Sequence, residues 1–150
     1  MSTTYNPTVQ TRTSLTVTGL STLASATYVA SSAYTLNTNK PADLFLEVTV
    51  GTTNTPTGNK QVLVFAQLSL DGTNYTTGPT SGTTTTDEPD LYSLGGILLP
   101  AASVNHTQIF AISQLFTRPV YAVKFIFKND LGVALTTGTA YTSEVSDINV

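Results

Sequence analysis

The sequence predicts an all-β protein: a single β-sandwich of about eight strands with jelly-roll-like connections, preceded by an extended N-terminal arm. Three observations predict it. Apolar and polar residues alternate with a period of two in several segments, and no segment sustains a convincing helical period. Turn formers punctuate those segments roughly every 8–15 residues. Threonine fills 30 of the 150 positions, and a β-branched hydroxyl residue suits a solvated pleated face.

The elements follow in order. Met1–Arg12 is polar, contains Pro7 and has no period, so it reads as an extended arm; 13–150 reads as one domain. Ser14–Gly19 (SLTVTG) alternates, with Leu15 and Val17 on one face. Ala26–Leu36 (ATYVASSAYTL) reads as a strand with a bulge at Ser31-Ser32. Asp43–Val50 (DLFLEVTV) places Leu44, Leu46, Val48 and Val50 on one face and Phe45, Glu47 and Thr49 on the other. After the turn cluster Thr52–Lys60, the segment Lys60–Leu70 aligns Val62, Val64, Ala66, Leu68 and Leu70. The two segments read as a long antiparallel hairpin. Asp71-Gly72 then predicts a tight type I′ turn.

Thr76–Asp90 reads as an exposed Thr/Gly/Ser loop, and deleting Thr80–Thr86 is expected to leave folding intact. Leu91–Leu99 contains Gly95-Gly96 and reads as two short pieces. Thr107–Phe116 fits a strand or a short helix. In Val120–Lys128, Tyr121, Val123, Phe125 and Phe127 face one side and Lys124 and Lys128 the other. Asn129–Gly132 turns the chain, and Thr139–Ile148 is the closing strand. Strand order is non-local, so this pattern does not separate a jelly roll from an immunoglobulin-like sandwich.

Composition narrows the function. A chain of this length buries one core without a covalent staple. There is no Cys, which removes disulfides and thiolate metal sites. Net charge is −3, and the six basic residues Arg12, Lys40, Lys60, Arg118, Lys124 and Lys128 are scattered, so no nucleic-acid partner is expected. No apolar run approaches membrane length, and MSTTYNPTVQ has no signal-peptide pattern. Synthesis in the cytoplasm without classical export is the expectation.

Reactive chemistry is sparse. His106 is the one histidine, too few for a zinc site, and reads as a turn or surface residue. Asp71–Asn74 and Asp87–Asp90 offer oxygens but match no calcium-loop pattern; the first reads as a turn and the second as a solvated loop. No Ser elbow, phosphate loop or paired carboxylate is visible; Asp43, Glu47 and Glu144 lie on or near strands, with Glu47 on a solvated face. Tyr28, Tyr34, Tyr75, Tyr92 and Tyr121 offer either sugar-stacking faces or cross-strand packing. The sequons at Asn74 and Asn105 carry meaning only on a secretory route. The expectation is a non-enzyme with no catalytic residue, cofactor or metal.

Three segments carry a resemblance. SLDGTNY (Ser69–Tyr75) before a Gly/Thr/Ser-rich loop, RPVYAVKFIFKNDLGVALTTG (Arg118–Gly138) and the closing TAYTSEVSDINV are similar to small structural proteins of tailed bacteriophages. The resemblance covers about residues 43–150, and by length and simplicity is closest to head decoration (cement) proteins. It implies a β-sandwich that attaches to the major capsid protein on the outside of the virion and reinforces the shell, often as a dimer or trimer. A tail- or fibre-associated module binding a receptor or glycan is the alternative. The resemblance maps no partner-binding residue.

Overall fold

The structure is a computed structural model, and it describes residues 7–36, 43–112 and 120–147. Eleven strands are present among them: β1 (Pro7–Val9), β2 (Thr13–Leu15), β3 (Tyr28–Ala30), β4 (Tyr34–Thr35), β5 (Asp43–Thr52), β6 (Gln61–Ser69), β7 (Ser81–Gly82), β8 (Tyr92–Leu98), β9 (Val104–Ala111), β10 (Ala122–Asn129) and β11 (Thr137–Asp147). Short 3-10 turns occur at Leu20–Thr22 and Glu88–Asp90.

The strands form two antiparallel sheets. The first runs β1-β11-β5-β9, with β2 also on β11; the second runs β7-β3-β10-β6-β8, with β4 also on β10. β1 and β2 follow one another along the same strand, opposite 145–147 and 140–142 of β11. β3 and β4 do the same along β10. Taking each such pair as one broken strand, and leaving aside two-residue β7, eight strands remain. They lie in the orders 1-8-3-6 and 2-7-4-5, a jelly-roll-like connection pattern of interleaved Greek keys.

The alternation read from sequence sets which side chains are inside. Leu44, Leu46, Val48 and Val50 are fully buried on β5, as are Val62, Val64 and Ala66 on β6 and Val123, Phe125 and Phe127 on β10. Burying each of these Leu, Val and Phe side chains stabilises the fold by about 1.5–3 kcal/mol. The face of β10 that carries Lys124 and Lys128 also buries Ala122 and Ile126 completely, so that strand is covered on both sides. Two expected members fall outside the core: Leu70 lies past the end of β6 and is 72 % exposed, and Tyr121 precedes β10 and is also exposed.

The expected β5–β6 hairpin is not formed. β5 pairs with β11 and β9, whereas β6 pairs with β10 and β8. Their apolar faces meet across the sandwich rather than side by side, and residues 53–60 turn a corner between sheets. Alternation fixes a strand's face but not its neighbour. The corner is held from outside, because the Thr57 and Gly58 N–H groups both donate to the Leu131 carbonyl, at 2.9 and 2.7 Å.

The bulge expected at Ser31-Ser32 is instead a break that separates β3 from β4. Ser31 is buried; its N–H donates to the Phe125 carbonyl, and its hydroxyl accepts the Phe125 N–H at 2.9 Å. The side chain thus completes the ladder where the strand leaves it. Leu91–Leu99 yields one strand, not two pieces. A β-bulge at Leu94 lets it stay paired: Val64 faces Gly95 while Phe65 faces Ser93, and Gly95 takes φ 139° beside the Phe110 ring. Val104–Ala111 resolves as strand; the rest of that expected element, 113–116, lies outside the described residues. The described part of the arm is extended, and Pro7–Val9 lies along the chain's own β11. Residues 1–6 lie outside the described residues.

Candidate functional site

The two sheets differ on their outer faces, and the difference starts at Ser69. The predicted type I′ turn is absent: Gly72 has φ 78°, but Asp71 is not left-handed. The chain instead forms a wider loop closed by a Ser69–Tyr75 bridge. The Asp71 carboxylate organises it, with Oδ1 accepting the N–H groups of Thr73 and Asn74 at 2.8 and 2.7 Å. Those backbone bonds, Asn74 first, hold the Asp71 carboxyl far below the usual range. Its oxygens serve the turn.

The following residues fold back over the outer face of the second sheet. Lys124 Nζ sits 4.0 Å from the centroid of the Tyr75 ring. Pro79 is buried, and Ser81–Gly82 pair with Tyr28–Val29 as β7. Glu88 accepts hydrogen bonds from the Tyr28 hydroxyl and from Lys128 Nζ, the latter at 3.1 Å. Beneath this cover Tyr28, Phe65, Leu91 and Ile126 form a second small core. The Thr-rich stretch expected to be a free loop is therefore, in part, the lid of the second sheet.

The described residues leave the outer face of the first sheet more open. The pairing register places Tyr141, Glu47 and Ile109 in one row across β11, β5 and β9, with Ser143 and Phe45 in the next, and the Arg12 side chain reaches over the first row from the arm. The Arg12 guanidinium lies 4.2 Å from the Tyr141 ring centroid and donates to Glu47. Ile109 is 58 % exposed and Val9 67 %. These side chains line a shallow groove of about 430 Å³. It holds an apolar floor, one self-compensated ion pair and no nucleophile–base pair.

A second recess, of about 840 Å³, lies at the sandwich edge between β2 and β4. Its walls are mostly hydroxyls and one carboxylate, Glu144, which accepts from the Tyr34 hydroxyl. Burial pushes the Glu144 carboxyl above its ordinary range. A second carboxylate does not join it. Glu47 is on the opposite face of the same sheet, and Asp43 accepts its own neighbour's N–H, from Leu44, at 2.7 Å. The three acids of the sequence reading are thus not brought together.

His106 is on β9, half-buried and directly opposite Val50, and not in a turn. Among the described residues no group of three or more His, Asp or Glu side chains converges on a common point. The five tyrosines do not form a platform: Tyr28 is in the second core, Tyr34 and Tyr92 pack against the main core, Tyr75 lies under Lys124, and the Tyr121 ring lies against Gly72. The Arg12–Tyr141–Glu47 cluster was not legible in the sequence, because it joins the arm to the closing strand through a pairing that spans most of the chain.

Comparison of the chain with protein-family models, with curated proteins and with solved structures finds no match. Among the described residues no helix is long and apolar enough to cross a membrane.

Proposed function

We propose that this chain is a non-enzymatic structural virion protein that binds the outer surface of a phage capsid, through the major capsid protein, and stabilises the shell. The observation that carries the reading is the asymmetry of the two outer faces. One sheet is covered by its own loop 70–91, while the other presents Phe45, Tyr141 and Ile109 beside a neutralised Arg12–Glu47 pair. A flat apolar centre with a polar rim suits a protein surface. The sequence resemblance points to the same partner, and a hydroxyl-coated, charge-poor sandwich suits a rigid cladding role. The receptor- or glycan-binding alternative is less favoured, because the tyrosines proposed to stack sugars are dispersed.

Co-sedimentation with mature, undecorated capsids tests the proposal. Saturation at hundreds of copies per particle, with improved resistance of the capsid to heat, is the expected result, and Phe45→Ser should weaken binding. Absence of binding would overturn the reading and direct attention to tails and host glycans.

A further inference from the structure

Each sheet ends in two edge strands, and exposed edges invite pairing with other chains. Three of the four edges here carry a recognisable protection. β7 is two residues long. The β1/β2 edge is interrupted between Val9 and Thr13 and begins at Pro7. β8 is bulged at Leu94 with Gly95 in a left-handed conformation. β9 differs from all of them. It pairs with β5 in unbroken register over all eight residues, from Val104↔Thr52 to Ala111↔Phe45. It contains no Pro, Gly or charged residue, and positions 91–117 contain no Asp, Glu, Lys or Arg.

The hydrogen-bond phase of β9 follows from one contact. The Ile112 N–H donates to the Leu44 carbonyl at 2.8 Å, in line with the strand register. Antiparallel ladders alternate between bonded and non-bonded pairs. The backbone groups of Val104, His106, Gln108 and Phe110 therefore point to β5, while those of Asn105, Thr107, Ile109 and Ala111 point away from it. Among the described residues β9 is the terminal strand of its sheet, with no strand on that side.

We propose that β9 is a homodimerisation edge, pairing antiparallel with β9 of a second copy about a two-fold axis near Gln108. In that register Thr107 faces Ile109 of the other copy and Asn105 faces Ala111, so all four outward residues exchange both backbone hydrogen bonds. Self-pairing suits this strand in particular. A two-fold contact sets a surface against itself, and β9 carries no charge to repel its own image. The two first sheets would join into one continuous sheet, with the Ile109 side chains of both copies meeting on its outer face. The inference does not depend on the capsid reading and survives its failure.

The test is sedimentation equilibrium over a concentration series, together with amide hydrogen exchange on the natural chain. The expected species is a dimer of twice 15.8 kDa, with the Thr107 and Ile109 amides protected. Thr107→Pro removes an outward N–H without touching the β5 ladder, and should weaken dimerisation about tenfold or more, two hydrogen bonds being lost per dimer. Thr107→Lys places a charge beside its own image and should act in the same direction while keeping the backbone intact. A chain that stays monomeric up to its solubility limit, or fast exchange at Asn105, Thr107, Ile109 and Ala111, would overturn the proposal. So would a dimer that persists in both folded variants.

Discussion

The Tyr28 hydroxyl donates a hydrogen bond to Glu88, a residue 60 positions later in the chain, and Lys128 donates to the same carboxylate from the neighbouring strand. This three-residue cluster pins the 3-10 turn at Glu88–Asp90 onto β3 and β10. Lys128 and Glu88 are 15 % and 21 % exposed at their side chains, so solvent screens the pair less than an ordinary surface bridge.

Glu88→Gln should therefore cost about 1–3 kcal/mol near neutral pH, measured by urea unfolding. The cluster also sets a pH dependence. Burial first, then the bond to Glu88, raises the Tyr28 hydroxyl above its ordinary 10.0. Burial pulls Lys128 down, but its bonds to Glu88 and Tyr28 outweigh that and leave it above 10.5. Both folded-state values are raised, so the stability they contribute is full below pH 10.0 and is lost as pH rises through the raised values. The stability gap between the natural chain and Glu88→Gln should close as pH rises above that point. A gap that stays constant would show that the contribution of Glu88 is not coupled to the titration of Tyr28 and Lys128.

Deleting Thr80–Thr86 was expected from sequence to be harmless. The structure changes that expectation, because the deletion removes β7 and strains the tether that brings Glu88 to Tyr28. A loss of about 1–3 kcal/mol, or several degrees in Tm, should follow. Dye binding to exposed Tyr28, Phe65 and Ile126 should rise, while the main transition stays cooperative. An unchanged Tm would show that the lid contributes no stability.

Asn129 makes the most concentrated polar contact in the interior. It is fully buried, its Nδ2 donates to the carbonyls of Leu23 and Val133, each at 2.8 Å, and its Oδ1 accepts the Leu131 N–H at 2.9 Å. Asn129→Ala would remove the partner of the Val133 carbonyl and of the Leu131 N–H, while the Leu23 carbonyl keeps the Leu135 N–H, and should cost about 2–4 kcal/mol by urea unfolding. A loss under about 1 kcal/mol would mean that water replaces the amide.

The faces of β5, β6 and β10 were legible because burial imposes a period of two, and Leu44 to Val50 or Val123 to Phe127 carry it openly. The partners of those strands were not legible, since Val50 faces Gly138 and His106 through pairings that local pattern does not encode. Asn129 was legible as part of a turn, but not as a residue that ties that turn to the distant segment at Leu23. Thr, Gly and Ser mark exposure and so predict a loop where the lid lies; its attachment depends on Glu88, which in sequence is one acid among three. The candidate face was least legible of all, as Arg12, Glu47 and Tyr141 meet only after the first and final strands have paired.

That pairing also fixes an order of events. β11 lies between β1/β2 on one side and β5 on the other, so β1 and β2 have no partner, and β5 has only β9, until residues 137–147 have been synthesised. The first sheet is thus completed late in translation, with the β5–β9 pair able to form first and β1/β2 waiting for β11. A ribosome-stalled chain in which Leu135 is the last residue outside the exit tunnel should be cleaved readily by protease within residues 7–15. Extending the exposed chain past residue 147 should confer protection in a single step.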